Sequence, residues 1–158
     1  MQGSVFDEAA FFAAIAAGGS RALLIGRRAL VALGLPVLTA DYDFWIHLDD
    51  VERFNDSLAP FDLRPSRAPA ETRSHGRYVL QNDEHVDVLV AKTVTTVDGV
   101  RLSFDEVWTR RRILDIGGSD VAVPSLDDLI VTKRFAARPK DLEDLRLLEV
   151  LRSTEDKK

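Results

Sequence analysis

The stretch TADYDFWI, positions 39–46, begins with two aspartates one residue apart and continues as a run of large apolar side chains. In an extended strand, residues two apart point to the same face. Asp41 and Asp43 would then project side by side, their Cα atoms about 6.5–7 Å apart. Carboxylates that close repel each other unless water screens them, arginines pair with them, or a cation lies between them. A hard dication, Mg2+ or Mn2+, takes carboxylate oxygens and leaves positions for water and substrate phosphates. Phosphoryl and nucleotidyl transfer use such clusters, with two metals about 3.5–4 Å apart holding the attacking and leaving oxygens in line. HVDVLV (85–90) offers a third carboxylate, because Asp87 alternates with Val86 and Val88 and faces away from them. Each residue also has a plainer role. Asp43 could satisfy backbone amides, Asp87 could pair with an arginine, and His85, on the same face as Asp87, reads better as a half-exposed strand histidine than as a transition-metal ligand.

Two further segments carry charge where a phosphate could use it. IGRRALVALG (25–34) reads as strand end, Gly26, then helix. A helix start presents free amides and the positive end of the dipole, and a glycine lets a ligand approach the backbone. Arg27 or Arg28 would add a guanidinium fork. The alternative is a tight strand-to-helix turn with solvated arginines. Near the other end, Lys133 shares a helix face with Ala137, and Arg138-Pro139-Lys140-Asp141 reads as a helix start with a charged first turn. Taken alone, Lys133 is a solvated lysine.

These residues need a scaffold, and the pattern supplies one. The spacing predicts a helix over 5–17, with Ser4 as N-cap and Gly18-Gly19 as the stop. Strands follow at 22–25 and 42–48, separated by a short helix over 27–33 that Gly34 and Pro36 end. Asp49 or Asp50 caps a helix reaching about Leu58. Residues 64–76, RPSRAPAETRSHG, read as a loop. Strands at 78–81 and 85–90 flank the turn Asn82-Asp83-Glu84 as a hairpin. Ser103 or Asp105 opens a short helix over 104–110. Short strands at 113–116 and 121–123 flank a glycine turn. Ser125 with Asp128 resembles a capping box and opens a helix to about 137. Pro139 begins the last helix, with Leu142, Leu145, Leu148 and Leu151 on one face, and the tail STEDKK frays. Interleaved helices and strands place the chain in the α/β (α+β) class, with helices packed on a mixed sheet.

The chain has 158 residues, a net charge of −5, 46% hydrophobic and 30% charged residues, and no cysteine. This is an ordinary globular composition, long enough for one cored domain over 1–158, with an N-terminal helix in 1–20 and a C-terminal helical pair in 124–153. Disulfides and thiolate metal sites are excluded, and a reducing, cytoplasmic setting is expected. The acidic balance argues against a global polyanion-binding surface. MQGSVFDEAAFFAAIAAGG lacks a basic leader, so it reads as an amphipathic helix rather than an export signal, and no run suits a membrane span.

The order of these pieces is specific. Apolar strand, Gly26, short helix, Gly34-x-Pro36-x-x-Thr39-x-Asp41-x-Asp43, a later strand aspartate, then PSLDDLIVTKRFAARPKDLEDLRLL (124–148) resembles the nucleotidyltransferase superfamily, the DNA polymerase β-like fold. Within it the chain looks like the small bacterial branch of AbiEii-type toxins and minimal nucleotidyltransferases, over about residues 21–151. The resemblance implies that Gly26 and the following helix start face nucleotide phosphates, with Arg27, Arg28 and Thr39 close by. It makes Asp41 and Asp43 the metal pair and Asp87 the third carboxylate, a general base or a further metal ligand. It sets Lys133 on the triphosphate, and Arg138, Asp141 and Asp144 in the closing motif, Asp141 orienting Lys133 or the glycine turn. Two departures stand out. Arg27 follows Gly26 where relatives carry serine or glycine, and Val37 follows Pro36 where many carry arginine. A long side chain at 27 either binds phosphate or blocks it.

The resemblance therefore implies transfer of a nucleoside monophosphate from an NTP to an acceptor hydroxyl with Mg2+ or Mn2+. The acceptor is left open among an RNA end, a protein and a small molecule, and a cognate toxin or antitoxin partner is expected. The runner-up is a catalytically degenerate binding module, an antitoxin or regulator. A purely structural protein with an incidental acidic cluster is the third reading.

Overall fold

The computed structural model describes residues 6–134 and 139–156. Within them the chain forms a first helix, α1 (Glu8–Gly18), whose N-cap is Asp7, with Oδ1 accepting from the Ala10 amide at 3.0 Å. The expected cap, Ser4, lies outside the described residues, and the helix starts later than its spacing predicts. Strand β1 (Ala22–Ile25) runs straight into α2 (Gly26–Ala32), and β2 (Tyr42–Ile46) follows. A single 3-10 turn, Leu48–Asp50, leads into α3 (Val51–Leu58).

Neither expected aspartate caps α3 with its side chain. The His47 ring accepts from the Asp49 amide at 3.0 Å, and buried Asp50 takes the Arg21 amide at 2.7 Å and its guanidinium at 2.9 and 3.0 Å. A buried carboxylate needs its charge matched, and that demand outweighs the local cap.

Residues 64–76 are not a loop. They hold a two-residue strand, β3 (Arg64–Pro65), and a helix, α4 (Pro69–His75), with Pro69 in its first turn and Gly76 closing it at φ 79°. Then come the hairpin β4 (Arg77–Gln81) and β5 (His85–Leu89), and a small ribbon that the pattern did not predict, β6 (Thr93–Thr95) and β7 (Arg101–Ser103). Helix α5 (Phe104–Thr109) is capped by Ser103, not Asp105, through the Glu106 amide at 3.2 Å. A second hairpin, β8 (Arg112–Ile116) and β9 (Ser119–Val123), precedes α6 (Leu126–Lys133), whose Ser125 cap accepts from the Asp128 amide at 3.2 Å. Its predicted extension to 137 falls outside the described residues. The last helix, α7 (Pro139–Asp156), does not fray at STED, where Glu155 meets Arg112 at 3.4 Å.

The main sheet runs β1-β2-β5-β4-β3, with β2 and β5 parallel and the other neighbours antiparallel. Side-chain alternation gives it two faces. Leu24, Tyr42, Phe44, Ile46, Val86, Val88, Tyr78 and Leu80 point into the larger core with Phe11, Phe12, Ile15, Phe54 and Leu58. Leu23 and Trp45 point the other way, to Val94, Leu102, Phe104 and Val107. The buried Trp45 indole donates to the Ala91 carbonyl at 2.7 Å, which satisfies its one polar atom. Asp43 and Asp87 lie on this second face, in alternation with the larger core. The fold is thus a mixed α/β sheet carrying helices.

Candidate functional site

The parallel pairing of β2 with β5 decides which carboxylates are neighbours. Register sets Asp43 opposite Asp87, with Ile25 on the far side of Asp43 and Val79 on the far side of Asp87. Adjacent strands are about 4.8 Å apart, closer than residues two apart along one strand. The tight pair is therefore Asp43 with Asp87, both half-buried. Asp41 stands one residue before β2, exposed, where the two-apart rule for strands no longer holds. Its backbone is held by Thr39, whose hydroxyl accepts from the Asp41 amide at 3.2 Å. His85 reaches Asp87 at 3.2 Å across one strand face.

Gly26 is required by one of these aspartates. It has φ +67°, and a Cβ there would sit 2.5 Å from Asp43 Oδ2 and 3.0 Å from Asp43 Cβ and Cγ. The turn into α2 can pass this close to the carboxylate only without a side chain.

The arginines that follow are half-buried and partnered. Arg27 donates through Nε and Nη2 to the two oxygens of Asp144, each at 3.2 Å, and through Nη1 to the Leu38 carbonyl at 3.1 Å. Arg28 lies over the Tyr42 ring at 4.2 Å, within 3.6 Å of Glu8, and donates to the carbonyls of Thr39 at 3.3 Å and Asp41 at 3.4 Å. It clamps the 39–41 segment. Tyr42 donates to Glu8 at 2.7 Å, and burial first, then that bond, push its phenol above the ordinary tyrosine value.

Lys133, a solvated lysine when its segment is read alone, is buried at 7% exposure. Its Nζ lies 2.8 Å from Asp144 and 3.6 Å from Asp141, which are 0% and 2% exposed. Arg27 of α2, half-buried, and the buried Lys133, Asp141 and Asp144 of α6 and α7 thus share one charge-matched cluster, the condition under which charges tolerate burial. Lys133 is thus one neighbour of Asp141. Asp141 and Asp144 are three apart and share a helix face, a signal that the sequence carried. The link from Asp144 to Arg27, 117 residues away, had no local signal. Neither did the Glu8 contact with Arg28 and Tyr42. Arg138 lies outside the described residues.

Asp41, Asp43 and Asp87 offer oxygen donors alone, which suits a hard dication in kind. Among the described residues, no three His, Asp or Glu side chains stand close enough together to hold a metal as they are placed. No described helix is long and apolar enough to cross a membrane.

No family model matches the sequence, and no curated protein matches it. Solved structures do. A Thermotoga maritima protein provisionally described as a nucleotidyltransferase aligns at 16% identity and a TM-score of 0.55, covering 94% of this chain and 89% of its own. The lincosamide antibiotic adenylyltransferase LnuA, lincomycin-bound, aligns at 12% identity and a TM-score of 0.62, over 93% of this chain and 98% of its own. The antibiotic-resistance factor ANT(2'')-Ia aligns at 16% identity and a TM-score of 0.62, over 94% and 88%. At these identities the likeness is one of fold, and it extends along nearly the whole length of each chain.

Proposed function

We propose that the chain is a metal-dependent nucleotidyltransferase that moves a nucleoside monophosphate from an NTP to an acceptor hydroxyl. The observation that carries this reading is the register pairing of Asp43 with Asp87, with Gly26 packed against Asp43, in a fold shared with nucleotidyltransferases of known structure. Asp41, Asp43 and Asp87 would hold Mg2+ or Mn2+, and the bound ion would neutralise phosphate charge and align the reacting oxygens.

The remaining work falls to the chain itself. The Asp87 carboxylate accepts the proton of the acceptor hydroxyl as the hydroxyl oxygen bonds to the α-phosphorus. The bond from the α-phosphorus to the bridging oxygen breaks, and pyrophosphate leaves with the electron pair. Lys133 and Arg27 supply positive charge on the triphosphate side, where negative charge develops. Thr39 and Arg28 hold the 39–41 segment, which sets where Asp41 enters the site.

A small-molecule acceptor is the first choice, because LnuA is lincomycin-bound and named for an antibiotic substrate. An RNA end or a protein hydroxyl are the others. Placement in the AbiEii-type branch, with a cognate toxin or antitoxin partner, rests on the motif order alone. The lack of cysteine supports a cytoplasmic setting. A second reading, a nucleotidyltransferase fold kept as a binding module, is favoured by one observation: Arg27, where relatives carry serine or glycine, is engaged by Asp144 rather than open.

A thermal-shift panel separates the two. ATP, GTP, CTP and UTP are each tested with and without Mg2+ or Mn2+ on the wild type and on an Asp41→Asn/Asp43→Asn variant. At about 100 times its Kd a ligand adds roughly 2.7 kcal/mol, an easily measured rise in Tm. The enzyme reading expects a metal-dependent shift with at least one NTP that the variant loses. No shift under any condition overturns it.

A further inference from the structure

We infer that Arg27 and Lys133 form a polyphosphate subsite whose resting occupant is the Asp144 carboxylate, so that a triphosphate binds by displacing α7's own counter-ion. The inference rests on the nucleotidyltransferase reading for its biological ligand, but not for its test.

Three observations carry it. First, one fully buried carboxylate takes both cations: Asp144 accepts from Arg27 at 3.2 Å through each oxygen and from Lys133 at 2.8 Å. A guanidinium fork and an ammonium converging on a pair of oxygens is the donor arrangement that also fits a phosphate. Second, Arg27 directly follows Gly26, whose Cα carries the close approach to Asp43. The fork is therefore joined to the residue that packs against Asp43 through one peptide bond. Third, Arg27 keeps 25% of its side chain exposed while Asp144 keeps none. The guanidinium can be reached from solvent without opening the core, whereas Asp144 can leave only if α7 moves.

A serine or glycine at position 27 would leave Asp144 with less positive charge and Lys133 with less competition. Arg27 changes both at once. It closes the clip between the glycine turn and α7, and it adds a second cation that becomes available when the clip opens. Binding then carries the cost of releasing Asp144, and the charge of Arg27, Lys133 and Asp141 together, without Asp144, is positive and favours an anion. The same residue that looks like an obstruction next to Gly26 becomes part of the phosphate site.

The probe is inorganic tripolyphosphate in metal-free buffer at low ionic strength, measured by calorimetry on the wild type, Asp144→Asn, Arg27→Gln and the double variant. Asp144→Asn removes the competitor, and tripolyphosphate should bind about tenfold more tightly, the change that 1.4 kcal/mol corresponds to. The double variant should lose that gain, and Arg27→Gln alone should bind no better than the wild type. Equal or weaker binding by folded Asp144→Asn overturns the proposal. So does a gain that survives loss of Arg27, because the cluster would then be a strut and the binding diffuse.

Hydrogen exchange on the wild type keeps the question open to refutation if Asp144→Asn does not fold. Saturating tripolyphosphate should reduce protection of the backbone amides in the first two turns of α7. Unchanged or increased protection there sinks the idea. None of these readouts uses a metal, an NTP or the aspartates of β2 and β5. A failure here therefore removes Arg27 and Lys133 from the triphosphate but leaves metal-dependent transfer at the aspartates standing, and a failure of the NTP panel leaves this result standing.

Discussion

Gly26 shows how one residue can serve backbone and site together. Its positive φ alone would cost an L-residue roughly 1–2 kcal/mol, and the Cβ would in addition meet the Asp43 carboxylate. Gly34 has a similar φ, +88°, but nothing within 4 Å of the position a Cβ would take. The two glycines therefore separate the effects. Gly34→Ala should lower stability by about the backbone penalty and leave metal-dependent NTP binding intact. Gly26→Ala should cost about 1–2 kcal/mol more and also abolish the metal-dependent Tm shift, because Asp43 must rotate away. Equal losses from both, with binding kept in both, would mean that Gly26 is only a turn. The sequence pointed to this glycine by its place between an apolar strand and a helix. It could not say that the neighbour demanding it was Asp43 rather than a phosphate.

At the level of elements, local signals held where a cap or turn decides the structure and failed where a distant partner does. Ser103 and Ser125 cap their helices, and Asn82-Asp83-Glu84 turns its hairpin. Residues 64–76 are rich in proline, arginine and serine, which masked the helix that Pro69 begins. The β6–β7 ribbon has three residues per strand, too few to show a period. Asp50 was legible as a cap and instead ties the start of β1 to α3's entry through Arg21. Burial pushes its carboxyl up, but the Arg21 side-chain and amide bonds together outweigh burial, so Asp50 titrates below its ordinary value of 3.8. A depressed carboxylate stabilises fully above the unfolded value and ceases to do so as pH falls through the folded one. Urea midpoints should therefore drop below about pH 4 in the wild type. Asp50→Asn should be less stable at pH 7 and show a flatter acid limb. A variant with the same acid limb as the wild type would remove Asp50 from the account. Arg110 and Asp128 make the same kind of tie between α5 and α6, at 3.0 Å through both oxygens. Arg110→Ala should cost about 1–2 kcal/mol, discounted because Arg110 is 46% exposed while Asp128 is 6%.

Across the whole molecule, the two faces of one sheet differ: one carries the larger core, and the other carries Asp43 and Asp87 beside a smaller one. Phe11 is fully buried on the larger-core face, ringed by Phe6, Phe12, Tyr42, Phe44 and Phe61 at centroid distances of 4.9–6.2 Å. Phe11→Ala should cost about 3–5 kcal/mol, yet the NTP affinity of the fraction that stays folded should match the wild type. A matching loss of affinity would mean that α1 shapes the site through Tyr42 and Glu8. Local spacing was enough for the fold class, most element positions and the alternation that turns Asp87 away from Val86 and Val88. Those properties depend on residues a few positions apart, where strand and helix periods or cap chemistry act directly. Packing of the whole chain sets Asp87 opposite Asp43 in the sheet, binds Arg27 to Asp144 117 residues away, and buries Lys133 between carboxylates. Register between non-adjacent strands and the docking of α7 on α2 and α6 depend on how the whole chain packs its core. No local pattern encodes which distant charge will arrive to match a buried one.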